Sequence, residues 1–200
     1  CQCGRSRKHS IEELRKKIYG IIWEEQLQRG VAAEISQALM EEVYTTPKPG
    51  LVDREDTGAH TDMNCQTFQK STEAIAEDLA AMFEAGYSWE ADPKTLFPLL
   101  RERGKKTEEK MFVATGGVNT HKGIIFTIGI LAAAAGISLR NYGKIESEDV
   151  CRISQEMTKK ELEQDLRKLK QSSGITHGEK IYCHLGEKGV RGLAMSGYPI

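Results

Sequence analysis

The sequence lacks the marks of several large protein classes. No segment alternates apolar and polar residues strictly enough to read as a strand, and no GxGxxG follows one, so a sheet-based dinucleotide fold is not expected. HExxH, paired CxxC and GxSxG are all absent, as are internal repeats and low-complexity segments. Neither sign of charge dominates: 28 basic against 29 acidic side chains leave a net charge of -1, which argues against a nucleic-acid tail or a membrane-binding patch. The longest apolar run, around Gly123–Ile137, reads as too short to span a bilayer, and the first ten residues have no apolar stretch of the signal-peptide kind. The five cysteines are odd in number and scattered, which suits reduced thiols in the cytoplasm better than a disulfide framework.

What is present is helical periodicity. Ser10 and Glu13 form a capping box at the head of a predicted helix over 10–28. A second helix is expected over 30–44, with Val31, Ile35, Leu39 and Val43 on one face. A third spans 65–86, apolar at Phe68, Ile75, Leu79 and Phe83 and capped by Gly86. A fourth spans 93–111, with Leu96, Leu99, Leu100 and Met111 as core and most of its charged second half exposed. A helix from about 123 to 135 is apolar all round, so it is expected at the centre, ended by Gly136, with Ala132–Ala135 permitting a close helix neighbour. An amphipathic helix follows over 146–171. The fold class is therefore all-α: a multi-helix bundle with long polar loops rich in glycine and proline that form the site.

Three polar stretches interrupt the helices. Residues 45–64 make a loop longer than compact domains usually carry without a use, stopped at its start by Pro47 and Pro49. Its Asp53, Asp56, His60 and Asp62 suit a divalent ion or acid–base work, and equally a solvated acidic loop. In FVATGGVNTHKGIIF, Gly116 and Gly117 allow a sharp turn or a close ligand approach, and Asn119 or Thr120 can cap the following helix. The helix start and Lys122 favour an anion, and His121 titrates near neutral pH. A glycine turn before a capped core helix accounts for the same residues. This stretch is not a Walker A loop, because its glycine-to-lysine spacing is wrong and no Ser or Thr follows the lysine. The last stretch, from Ser173, is again rich in glycine and carries His177, Glu179, Lys180, His184 and Arg191.

Read together, EVYTTPKPGLVDREDTGAHTDMNCQTF, RERGKKTEEKMFVATGGVNTHKGIIF and THGEKIYCHLGEKGVRGLAMSGYP resemble, in this order and spacing, the triphosphoribosyl-dephospho-coenzyme A synthase family. The resemblance covers roughly residues 30–199 and implies an all-helical fold. CGRSRKHSIEEL is similar to the tail of the citrate lyase apo-acyl-carrier-protein transferase, which some bacteria fuse to the synthase. Residues 1–9 are thus expected to be the tail of a preceding domain or a linker, and 10–200 a helical synthase domain. Synthases of this type continue into a block with an Asp-Thr pair and an Arg-Gly-Gly turn that this sequence does not contain, so the domain is expected to be incomplete at its C-terminus.

The resemblance implies a transferase that joins ATP to 3′-dephospho-CoA and releases adenine, making the precursor of the prosthetic group of citrate lyase or malonate decarboxylase. Such a transfer passes through an oxocarbenium-like state and needs a triphosphate clamp, a proton for adenine and a base for the attacking hydroxyl. Within the matching blocks, Lys48, Lys122 and Arg191 are the expected phosphate ligands, with backbone amides over Gly116, Gly117, Asn119 and Thr120. Asp53, Asp62 and Glu108 are the carboxylates, of which Asp53 and Asp62 are candidates for Mg2+ on ATP. His60, His121 and His177 are alternative proton carriers or phosphate contacts, and Glu179 belongs to the same site. No tightly bound cofactor, nucleic acid or membrane partner is expected. A helical module that binds nucleotide or coenzyme without catalysis, or a purely structural bundle, would present the same helices.

Overall fold

An apolar stretch flanked by glycines decides the architecture. In the computed structural model, which describes residues 25–169 and 177–199, that stretch forms a helix over Lys122–Tyr142 (α4). Before it lie the helix over residues 25–44 (α1), Cys65–Tyr87 (α2), a 3-10 turn at Pro93–Thr95 and Phe97–Thr115 (α3). After it come Ser147–Leu169 (α5), His177–Leu185 (α6) and Gly189–Ser196 (α7). No strand occurs among the described residues, so the all-α expectation holds. The expected linker over 1–9 and the part of the first predicted helix before residue 25 lie outside the described residues.

α4 packs against α2, α3, α5 and α7. It runs past Gly136, where the sequence suggested an end, to a left-handed Gly143 whose N–H closes on the Leu139 carbonyl. Its 21 residues and mean hydropathy of 1.9 would by themselves suit a membrane span, contrary to the shorter run read from the sequence. Its neighbours show it as the core helix of the bundle. Gly136 instead lets two backbones touch. A Cβ built there would lie 2.2 Å from the Phe83 carbonyl oxygen and 2.6 Å from the Tyr87 nitrogen. Gly86 answers from α2, where a Cβ would fall 2.0 Å from the Ala133 carbonyl oxygen. Gly86 therefore does not cap α2; the helix continues to Tyr87 and Ser88 closes it.

Two further boundaries differ from the sequence reading. Gly30 does not separate two helices, since residues 25–44 are continuous through it; one glycine weakens a helix without breaking it when flanking residues favour the helix. α3 begins only at Phe97, after Asp92 caps the 3-10 turn by accepting from the Lys94 N–H at 3.0 Å. That shift leaves Leu99 exposed while Leu96, Phe97, Leu100 and Met111 are buried. The glycine-rich last stretch, read from the sequence as a polar interruption of the helices, forms the short helices α6 and α7. α7 is docked on α5 by the Thr158 hydroxyl, which donates to the Ala194 carbonyl at 3.2 Å, and by the Gln155 amide, which donates to the Met195 carbonyl at 3.2 Å.

α2 starts at a capping box in which the Thr67 N–H donates to the Asn64 side chain at 3.0 Å and the Asn64 N–H donates to the Thr67 hydroxyl at 3.2 Å. Asp78 of α2 accepts from the Thr107 hydroxyl and the Lys110 ammonium of α3, at 3.2 and 2.7 Å. These contacts set α3 alongside α2. The core is formed by Leu39 of α1, Ile75, Leu79 and Met82 of α2, Ile130, Ala133 and Ile137 of α4, and Ile153, Met157 and Leu162 of α5.

The two kinds of helical glycine make opposite predictions under urea or thermal denaturation. Gly136→Ala drives a methyl into the α2 backbone and is expected to lower stability by about 2–4 kcal/mol, through overpacking at a site that cannot yield. Gly30→Ala meets nothing within 4 Å and is expected to be neutral or to raise stability by up to about 1 kcal/mol.

Candidate active site

α3 ends because Gly116 and Gly117 take positive φ, 66° and 93°. The Gly116 and Gly117 N–H groups turn back to the Val113 and Phe112 carbonyls, at 3.5 and 2.8 Å. The Thr115 hydroxyl donates across the turn to the Val118 carbonyl at 2.6 Å. No atom lies within 4 Å of a Cβ built on either glycine. The pair is therefore required by backbone conformation, and its two amides are engaged in closing α3. Asn119 accepts from the Lys122 N–H at 3.3 Å, a weak clasp on the first turn of α4, whose flanking position is taken by His121.

This turn delivers Asn119 and Lys122 to a cleft of about 720 Å³ between α3 and α4. Its floor is apolar, with Met82, Leu100, Ile125, Phe126 and Ile130, and its walls carry charge. Lys122 pairs with Glu108 of α3 at 3.0 Å, Arg191 of α7 with Glu179 of α6 at 3.2 Å, and Arg101 of α3 with Asp165 of α5 at 2.6 Å. The Arg101 guanidinium also lies over the Phe97 ring, 4.8 Å from its centroid, where the cation meets the negative face of the π-system. Of the residues named from the sequence, Glu108, Asn119, Lys122, Glu179 and Arg191 meet here. Gly116, Gly117, Thr120 and His121 support the turn without lining the cleft. His177 opens α6, but its side chain is outside the described structure.

Arg101, Lys105, Phe112 and Asp165 line the same cleft and were not picked out from the sequence. Arg101, Lys105, Glu108 and Phe112 recur at four, three and four residues, which puts them on one face of a helix. That spacing was the available signal in a segment that otherwise reads as solvated charge. Asp165 gave none, because its contact with Arg101 spans 64 positions.

The 45–64 loop forms a separate concavity lined by residues from Thr46 to Gly58. Asp53 organises it. Its carboxylate accepts from the N–H groups of Asp56, Glu55 and Lys48, at 3.0, 2.8 and 3.0 Å, and these bonds hold it well below the usual carboxylate range. A carboxylate so satisfied stays ionised and has little capacity left for a metal or a proton. Lys48 points to α1, donating to the Glu42 carbonyl at 2.7 Å and pairing with the Glu42 carboxylate at 3.1 Å. His60 and Asp62 stand 3.9 Å apart on the partly exposed side of the loop. No group of three or more His, Cys, Asp or Glu poised to hold a metal ion occurs among the described residues. Neither Lys48, Asp53, His60 nor Asp62 lines the α3–α4 cleft.

His121 is 1% exposed. Its Nδ1 lies 2.7 Å from the Ser71 hydroxyl, its ring meets the edge of Phe68 with centroids 5.0 Å apart, and its N–H reaches the Met111 sulfur at 3.2 Å. Burial pushes its pKa from 6.5 to about 4, opposed by the Glu42 carboxylate. The imidazole is therefore neutral at pH 7. The unfolded chain takes up this proton near pH 6.5 and the folded one only near pH 4. The contribution to stability is thus fully present above pH 6.5 and is lost as the pH falls from 6.5 toward 4. The wild-type chain is expected to lose on the order of 3 kcal/mol over that interval from this group. His121→Gln removes that component, so urea midpoints measured at pH 7 and pH 4.5 should differ less in the variant than in the wild type.

Sequence comparison places this geometry among known proteins. Residues 28–200 match the family model described as CitG: ATP:dephospho-CoA triphosphoribosyl transferase. Proteins from Streptococcus pyogenes serotypes M3 and M1, each named probable 2-(5''-triphosphoribosyl)-3'-dephosphocoenzyme-A synthase, are 40% identical over 185 residues, and one from serotype M2 is 39% identical. These matches take in 85% of this chain and 63% of each relative, so the chain spans somewhat under two thirds of their length. No solved structure matches it. With the family model covering nearly all of the described helices, and both walls of the cleft inside the match, the chain belongs to the ATP:dephospho-CoA triphosphoribosyl transferase family.

Proposed function

We propose that the α3–α4 cleft transfers the triphosphoribosyl group of ATP to 3′-dephospho-CoA with release of adenine. The observation that carries this reading is the convergence of Lys122, Arg191 and Arg101 on one cleft with an apolar floor. These cations come from three separate helices, and all three lie in the stretches that resemble the family. Linked phosphates suit several fixed cations, and a purine or the pantetheine arm suits the floor formed by Phe126, Ile125 and Leu100.

In the proposed reaction the ribose 2′-hydroxyl oxygen of dephospho-CoA bonds to the anomeric carbon of ATP, and the bond from that carbon to the adenine nitrogen breaks. Adenine leaves with the bonding electrons and takes up one proton, the hydroxyl loses one, and the triphosphate stays on the ribose. Glu108 is the carboxylate best placed to accept the hydroxyl proton, since it lines the cleft beside Lys122. Lys122 and the two arginines bind the triphosphate, and Asn119 supplies an uncharged donor and acceptor. Mg2+ would supply charge neutralisation on the triphosphate. The loop carboxylates do not form a ready site for it, because Asp53 is spent on backbone N–H groups, so the ion would enter with the nucleotide.

We assign the product to the prosthetic-group pathway of citrate lyase, with a fused or partner apo-carrier-protein transferase as the next enzyme and the cytoplasm as its place. The resemblance of residues 3–14 to the tail of that transferase favours citrate lyase over malonate decarboxylase.

Mixing the chain with ATP and 3′-dephospho-CoA should release adenine and form a product that keeps all three phosphates, read by chromatography and mass spectrometry. Calorimetric binding of both substrates without adenine would replace the enzyme with a non-catalytic binding module. Lys122→Ala is expected to raise KM for ATP about tenfold or more, the loss of one charge-assisted contact. An unchanged KM and kcat would remove Lys122 from the clamp.

A further inference from the structure

The chemistry of the α3–α4 cleft changes along its length. Two contacts set the register of its walls: Lys122 of α4 pairs with Glu108 of α3 at 3.0 Å, and the Phe126 and Phe97 rings meet edge to face with centroids 6.3 Å apart. α4 therefore runs antiparallel to α3, from the Gly116–Gly117 turn toward the end that bears Arg101. On the other wall Phe112, Glu108, Lys105 and Arg101 follow one another away from the turn on one face of α3. A rise of about 1.5 Å per residue puts Phe112 and Arg101 about 16 Å apart along the helix axis, a span comparable to an extended nucleoside triphosphate. Phe112 and Asn119 stand at the turn, where the Gly117 N–H donates to the Phe112 carbonyl at 2.8 Å, and both are uncharged. Glu108 and Lys122 come next, and the cations Lys105 and Arg101 last. Asn119 Oδ1 accepts from the Lys122 N–H at 3.3 Å. That bond tells the oxygen end of the amide from the nitrogen end, leaves Nδ2 two protons to give, and leaves Oδ1 a second lone pair.

We propose that Phe112 and Asn119 form the adenine pocket of the cleft, so that ATP lies along α3 with its base at the Gly116–Gly117 turn, its ribose beside Glu108 and its triphosphate toward Lys105 and Arg101. This rests on the triphosphoribosyl-transfer reading and deepens it by naming the residue that selects the base. The wall presents an aromatic ring and an amide, then a carboxylate, then cations, and the nucleotide presents base, sugar and phosphates in the same order. The reverse placement sets the purine between an ammonium and a guanidinium group and turns the outer phosphates toward uncharged Phe112 and Asn119. Asn119 offers the purine edge a donor and an acceptor: Nδ2 donates to N7 and Oδ1 accepts from the N6 amino group, the two-point pairing that a planar amide makes with adenine. Guanine carries an oxygen in place of that amino group, so Oδ1 would face a second acceptor. Phe112 supplies a ring against which the base stacks. The anomeric carbon, one bond from the base, then falls near Glu108, one turn along α3 from Phe112, where the acceptor for the hydroxyl proton stands.

Calorimetric titration of the full chain with ATP, GTP, 7-deaza-ATP and inorganic tripolyphosphate tests this placement without turnover. The wild type should bind GTP and 7-deaza-ATP about tenfold or more weakly than ATP, through loss of contacts to the base edge. In Asn119→Ala the three nucleotides should bind within about threefold of one another. Asn119→Ala and Phe112→Leu should each weaken ATP about fivefold or more and leave tripolyphosphate unchanged, whereas Arg101→Gln and Lys105→Gln weaken both ligands. Circular dichroism selects the variants that keep the helical fold. If Arg101→Gln unfolds with the loss of its Asp165 pair, Lys105→Gln, at an exposed position, carries the phosphate arm alone. Equal wild-type affinity for ATP and GTP, a tripolyphosphate affinity that falls in Asn119→Ala or Phe112→Leu, or one that survives every folded Arg101 and Lys105 variant would overturn the placement. A wild type that binds no ATP would overturn the pocket and the transferase reading together. A chain that shows these preferences but releases no adenine would remove the transferase reading alone, and one that releases adenine without preferring ATP to GTP would remove the pocket alone.

Discussion

The backbone contact between α2 and α4 is the constraint on which the rest of this protein depends. Gly86 faces Ala133 and Gly136 faces Phe83 at separations that leave no room for a Cβ. Dispersion forces fall steeply with distance, so two helices that approach this closely gain contacts along their whole length. Farther along the same pair, Gly129 takes the Met82 side chain where its own would be. Once α4 is held on α2 in this way, its first turn falls beside Ser71, and the face bearing Ile125, Phe126 and Ile130 is left to floor the cleft against α3.

The two polar regions of the sequence then take different forms. The 45–64 loop satisfies itself: Asp53 collects three backbone N–H groups, Lys48 returns to α1, and Cys65 donates to the Asp53 carbonyl at 2.8 Å. Its polarity is turned inward on its own backbone, as a loop of this length must do to hold one shape. The cleft keeps its polar groups facing a common space: Arg101 is matched by a carboxylate far along the chain, Lys122 and Arg191 by carboxylates of the preceding helix, and Lys105 by Glu102 of its own helix.

Much of the architecture was legible in the sequence because helical periodicity is a local property. The apolar faces of α2 and α5 and the all-round apolarity of α4 identify themselves from residues three and four apart. Glycine was the difficulty. A glycine after an apolar run looks the same whether it ends a helix, as Gly143 does, or admits a neighbour, as Gly86 and Gly136 do, and only the partner helix tells them apart. α6 and α7 were hidden for the same reason, as short helices among glycines. In the candidate site, the residues beside the Gly116–Gly117 turn were visible because the turn is local. Ser71, Asp165 and the Arg101 contact were not, because they are made by segments far apart in the chain. Asp53 was visible as a polar residue in an unusual loop, but its engagement with three amides depends on a loop conformation that residue type alone does not specify.

The ion pairs that line the cleft have a consequence for selectivity. Each arginine or lysine there already owns an internal counterion, so a lone phosphate or chloride that enters merely exchanges one anion for another and gains little. A chain of covalently joined phosphates makes the same exchange at several pairs but gives up its freedom of motion only once, so its advantage grows with each pair engaged. Walls built from self-neutralised pairs therefore discriminate by valence: they remain indifferent to the abundant monovalent anions around them and respond to a ligand that brings several linked charges at once.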